Sequence, residues 1–135
     1  MPRRALLAAL LLAAAVSGCG AATDSGGDFK GEEKRVADQV EKLQSAGQAG
    51  DAKKICDEVV ARSLREQIAA QGSTCQTQLD LALDDADDFD LTVEDVSISG
   101  GTATAKVRGR QGDGDRVQTF EFVREGQDWR ASSFG

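Results

Sequence analysis

The apolar residues change their spacing once, near Phe89, and that switch limits what the chain can become. Before it, Phe29, Val36, Val40 and Leu43 recur at intervals of seven, four and three, which sets them on one face of a first helix ending near Gly47. Asp51 is placed to cap a second helix, whose stripe is Ile55, Cys56, Val59, Val60, Leu64 and Ile68, and Gly72 stops it. Ser73 with Gln76 makes a capping-box pattern for a third helix, with Cys75, Leu79, Ala82, Leu83 and Ala86 along its inner side. After Phe89 the period is two: Phe89, Leu91 and Val93 alternate, then Val96 and Ile98 resume on the other parity, so a bulge is expected at Glu94 or Asp95. Ser99, Gly100 and Gly101 turn the chain into a strand holding Ala103, Ala105 and Val107. Residues 109–115 read as a longer turn, residues 117–123 as a third strand, and residues 128–134 as a fourth after Glu125 and Gly126. Three helices followed by an antiparallel four-stranded meander predict an α+β fold, with helices covering one face of a curved sheet.

The first residues stand outside that pattern. Arg3 and Arg4 precede an unbroken apolar run of 12 residues, 5–16, and then the small residues Ser17 and Gly18. This is the layout of a signal peptide, and the run falls short of the roughly 20 residues that a permanent membrane helix needs. Val16, Ser17, Gly18 and Cys19 resemble the lipobox of bacterial lipoproteins. That resemblance implies that residues 1–18 are removed and that Cys19 becomes the lipidated first residue on a membrane outer face. Two acyl chains anchor a protein far more firmly than one. Residues 19–28 carry no apolar period and read as a flexible tether, leaving residues 29–135 as one domain.

Loss of Arg3 and Arg4 takes the basic count from 16 to 14 against 23 acidic residues, a formal charge of −9 for the processed chain. Nucleic acid and anionic headgroups are poor partners for such a chain. Large apolar residues number 24 among residues 19–135, so the core is lean and a staple is useful. Cys56 and Cys75 supply one: in an exported protein, with Cys19 committed to lipid, they have only each other as intramolecular partners. The alternative is two buried free thiols.

Several short motifs resemble the nuclear transport factor two-like lipoproteins of actinobacteria. They are Gly50-Asp51 leading into the helix of Cys56, Cys75 opening the next helix, Leu91-Thr92-Val93-Glu94-Asp95-Val96, Gly101-Thr102-Ala103 and Gln127-Asp128-Trp129-Arg130. The resemblance covers residues 29–134 and implies a cone, in which a curved sheet wraps against helices and often encloses a pocket. Enzymes of that superfamily similar to ketosteroid isomerase work with an aspartate base and tyrosine or protonated aspartate donors, and other branches use histidine. This chain has neither histidine nor tyrosine, so no catalytic residue is assigned.

Other candidate sites are weak. Asp84, Asp85, Asp87, Asp88 and Asp90 are acidic enough for calcium but lack the alternating ligands and glycine turn of a binding loop, and Gly112-Asp113-Gly114-Asp115 is ordinary turn chemistry. No metal site and no cofactor are expected. Phe120, Phe122, Trp129 and Phe134 gather most of the aromatics on the last two strands, where they line a pocket or simply fill the core. The resulting expectation is a non-catalytic envelope module that binds a small apolar ligand or another envelope protein. The alternative is an isomerase or hydrolase of the same fold using a buried Asp or Glu. Any pocket should be narrow, because a wide void costs about 24 cal/mol per Å³ that a lean core cannot spare.

Overall fold

The computed structural model describes residues 29–85, 89–111 and 114–135. The expected signal peptide, Cys19 and the tether lie outside the described residues, as do Ala86, Asp87, Asp88, Gly112 and Asp113. Among the described residues, four helices precede a four-stranded antiparallel meander in the order β1-β2-β3-β4, an α+β, cone-like arrangement whose sheet does not close on itself.

Helix α1 (Gly31–Gln48) carries Glu32 and Glu33 in its first turn, where the helix dipole favours negative charge. Its inner stripe of Val36, Ala37, Val40, Leu43 and Ala46 is buried. It ends in a Schellman motif: Asp51 N–H donates to the Ala46 carbonyl at 2.9 Å and Gly50 N–H to Gly47 at 3.1 Å, with Gly50 left-handed at φ 67°. Asp51 then serves twice, because its carboxylate accepts from the Lys54 N–H at 3.0 Å and caps helix α2 (Ala52–Glu58).

The single second helix expected from the sequence is two. The chain leaves α2 at Val59, Val60 and Ala61, all buried, and resumes as helix α3 (Arg62–Ala70). Between them the backbone joins the edge of the last strand: Ala131 N–H donates to the Val59 carbonyl at 2.7 Å, and Ala61 N–H to the Ala131 carbonyl at 2.8 Å. Three consecutive buried side chains cannot all face inward from a helix, whereas an extended step between two helices can bury them. The same step covers a strand edge that would otherwise be open to foreign chains. Glu125, from the last turn, accepts from the Arg62 N–H at 2.8 Å and so caps α3 from 63 residues away.

A second correction concerns the last helix, α4 (Cys75–Asp84), whose cap is Thr74, accepting from the Thr77 N–H at 3.1 Å, rather than Ser73 with Gln76. Ser73 Oγ instead accepts from the Gln78 amide at 3.0 Å.

The sheet comprises β1 (Leu91–Ser99), β2 (Thr102–Gln111), β3 (Gly114–Glu125) and β4 (Asp128–Ser133). Its first register shift falls between Val93 and Asp95, leaving Glu94 as the extra residue, and a second falls at Glu121 and Phe122. Such irregularities bend strands and deepen a sheet's twist. The long turn expected at residues 109–115 is largely strand: Gly109 pairs with Arg116, Arg110 with Asp115 and Gln111 with Gly114. Cross-strand pairing overrode the turn-forming composition there.

One core joins α1, the 59–61 step and the inner sheet face. Phe122 lies between Ala103 and Ala131 on neighbouring strands, and Phe120 beside Ala105, so large side chains fill space that alanines leave. Helices α3 and α4 have no fully buried residue and lie at the periphery.

Gly47 in the last turn of α1 marks a close approach. A Cβ there would meet the Phe89 ring at 2.4 Å. Gly47→Ala should therefore destabilise by about 1–2 kcal/mol through overpacking, although helix propensity alone predicts a gain of about 1 kcal/mol. Urea midpoints decide the sign, and a more stable variant would refute the contact.

Candidate functional site

Two places among the described residues gather chemistry. The first is a pocket of about 290 Å³ at the end of the cone where β2 and β3 meet. Leu43 of α1, Leu79 of α4, Phe89 and Leu91 at the entry to β1, Phe120 of β3 and Phe134 after β4 make its apolar wall. Phe134 sets its ring edge-on to Phe120, with centroids 5.4 Å apart and planes at 88°. The rim is polar: Asp90, Arg110, Arg116 and the half-buried Gln118. Other depressions reach 510 Å³, but mainly polar and charged side chains line them, as at Arg62, Glu125 and Arg130.

Three glutamines of α1 tie the helix to the backbone around it. Gln44 accepts from the Leu91 N–H at 2.7 Å, Gln48 donates to the Phe89 carbonyl at 3.0 Å, and Gln39 donates to the carbonyls of Glu58, at 3.0 Å, and Trp129. The first two fix the strand entry from which Phe89 and Leu91 face the pocket.

The second place is at the N-terminal end of α1. Trp129 Nε1–H donates to Glu32 at 2.7 Å, Arg35 donates to the same carboxylate at 3.1 Å, and Arg124 also pairs with it. Arg124 lies over the Trp129 ring at 5.1 Å, a cation–π contact. The indole hydrogen bond is the main influence holding the Glu32 carboxyl below its ordinary value; desolvation opposes it, and the Arg35 hydrogen bond and the charges of Arg124 and Arg35 reinforce it. Asp57 is lowered likewise, chiefly by its hydrogen bond from Lys53. The cluster is a clasp: it ties the first turn of α1 to the β3–β4 hairpin.

A carboxyl with a depressed folded-state pKa contributes stability that is present above the unfolded value, about 4.3 for glutamate, and lost as pH falls through the folded value. Stability of the native protein should thus decline below about pH 4.5, and Glu32→Gln should flatten that decline while Asp57 preserves part of it. Denaturant midpoints across pH 3 to 7 test this, and an unchanged slope in Glu32→Gln would remove Glu32 from the account.

Of the four aromatics singled out in the sequence, Phe120 and Phe134 meet at the pocket, while Phe122 and Trp129 lie away from it, 1% and 2% exposed in the core. Cys56 and Cys75 come together, their sulfurs 2.10 Å apart, and join α2 to α4. Asp84, Asp85 and Asp90 form no metal-holding cluster among the described residues. Sequence reasoning missed Arg116 and Gln118, although the alternation that marks Phe120 and Phe122, continued backward by twos, puts both on the same face of β3. No comparable signal announced the partnership of Glu32 with Trp129, residues 97 apart. Comparison with protein families, curated proteins and solved structures finds no match for the chain.

Proposed function

We propose that the protein is a non-catalytic module of the bacterial envelope, lipid-anchored through Cys19 to a membrane outer face, that takes a slim apolar ligand into the pocket bounded by Leu79, Phe120 and Phe134. The pocket itself carries this reading. It is concave and apolar, with a few polar groups at its mouth, which is the usual make-up of a small-molecule site. At about 290 Å³ it sits at the small end of the range for such sites, about 300–1,000 Å³, as a lean core requires. Among the described residues no polar or charged side chain is buried, and Asp90 at the rim is exposed; this supports binding over acid–base chemistry. Helices leading into a bent sheet support the likeness to nuclear transport factor two-like lipoproteins.

Mass spectrometry of the protein exported by its own host tests both halves. Under denaturing conditions the mass should equal residues 19–135 plus acyl groups, and under native conditions an apolar or amphiphilic adduct should accompany it. An unacylated mature mass would overturn the anchor. An empty pocket, or a stoichiometric sugar phosphate or nucleotide, would overturn the ligand.

A further inference from the structure

The walls of the pocket are not held alike. Leu43 on α1 and Phe120 on β3 are 5% and 4% exposed and belong to the core. Gln48 and Gln44 hold the backbone of Phe89 and Leu91, and the Phe89 ring is seated against Gly47. The remaining wall is Leu79 and Ala82 of α4, a helix with no fully buried residue. Among the described residues, the side-chain hydrogen bonds of α4 stay local: Thr77 meets Thr74, and Gln78 donates to Ser73. None reaches α1, α2, α3 or the sheet, and no acidic side chain of α4 forms an ion pair with a described residue. What ties the helix down is the disulfide at its first residue, Cys75, and the apolar packing of the half-buried Leu79 and Leu83 on the core. Leu81, between those two leucines, points away and is 57% exposed. Apolar contact is non-directional, so a wall held by it shifts without breaking a directional bond, and local opening begins in the least-packed element.

We infer that α4 is a strap over the pocket, which moves outward to admit an apolar chain and closes on it. This rests on the ligand-binding reading above and adds how the site changes when it fills. The strap has a fixed point at each end. Cys75 is bridged to the buried Cys56 of α2, and Phe89, whose carbonyl Gln48 holds, follows five residues after Asp84. Movement is therefore concentrated between them, where Leu79 and Ala82 stand. A ligand chain offers Leu79 apolar surface on the pocket side, so the closed position binds the ligand better than the open one. That difference in affinity is what shifts the population toward closure, and a ligand that touched only the fixed walls would leave α4 as it was.

The test is amide exchange read by mass spectrometry on the protein exported by its own host, with phospholipid nanodiscs present to take up its anchor. The probe is a ten-carbon aliphatic alcohol carrying a diazirine. Illumination of a parallel sample reports binding, as labelling of pocket peptides that excess decan-1-ol suppresses. Without the probe, amides of residues 79–84 should exchange about a hundredfold or more faster than those of β2 and β3. The bound probe should slow them about tenfold or more and leave α2 nearly unchanged. Leu79→Ala should remove most of that slowing while the probe still labels β3, whereas Leu81→Ala, on the outer side of the same helix, should keep it. If the probe binds and α4 exchanges as before, or the slowing is uniform across the domain, or the two variants act alike, the strap is overturned and the apolar pocket stands. Protection of α4 equal to that of β2 and β3 in the unliganded protein would overturn it as well. If no suppressible labelling is found, the ligand-binding reading itself falls and the strap with it.

Discussion

Phe122→Ala is expected to lower the stability of the domain by about 3–5 kcal/mol, a large share of the 5–15 kcal/mol that holds a typical domain together. Phe122 is among the largest side chains of the core and is almost wholly shielded from water, at 1% exposure. Its cross-strand neighbours on the two flanking strands are Ala103 and Ala131. Neither alanine has a rotamer with which to collapse into the space, and ladders on both sides hold β3 in place, so the cavity would persist. Denaturant unfolding should show a lower midpoint with an unchanged slope. Phe134→Ala, at a half-buried position on the pocket, should cost clearly less. A loss under about 1 kcal/mol in Phe122→Ala would mean that the core does not close around this ring.

The second large effect is expected from the Cys56–Cys75 bridge. The cysteines are 19 residues apart in sequence, and opening a loop of that size should cost about 3 kcal/mol, or a fall in melting temperature of roughly 10 °C for a domain this small. The loss should also be unevenly distributed. Cys56 sits on α2, which buries Ala52 and Ile55, whereas α4 has no fully buried residue and depends on the bridge. Reduction should therefore speed amide exchange in α4 well before β2 and β3 lose protection, because local opening follows the least-packed element. Leu79 and Ala82 leave the pocket wall with α4, so ligand binding should weaken under reducing conditions that still leave the sheet intact. Two titratable thiols in the denatured, unreduced protein, or an unchanged melting temperature after reduction, would refute the bridge's role.

How much of this was legible beforehand depends on the range of the interaction concerned. Period and punctuation are local. The stripe Val36, Val40, Leu43 needs only the helical repeat to be read, Gly50 and Asp51 carry their turn and cap in their own chemistry, and the break in parity after Val93 announces the bulge at Glu94. Those signals were sufficient for the α+β class, the order of helices before strands, the meander and the pairing of the two cysteines. They failed where a distant partner outbid a local preference. Residues 52–70 keep a continuous helical stripe, yet the edge of β4 draws Val59, Val60 and Ala61 out of the helix. Residues 109–115 have the composition of a loop, yet strand pairing claims most of them.

The site divides along the same line. Sequence determined that aromatics would cluster on the last strands and that a lean core would leave little room for a void. Only the tertiary structure decided that Phe120 and Phe134 face the pocket while Phe122 and Trp129 do not, because alternation gives relative faces along a strand and says nothing of where the helices stop covering them. It alone set Glu32 against Trp129 and brought Arg110 and Arg116 to a common rim, since charged side chains carry no hydrophobic period and are placed by whatever backbone pairing the buried residues impose.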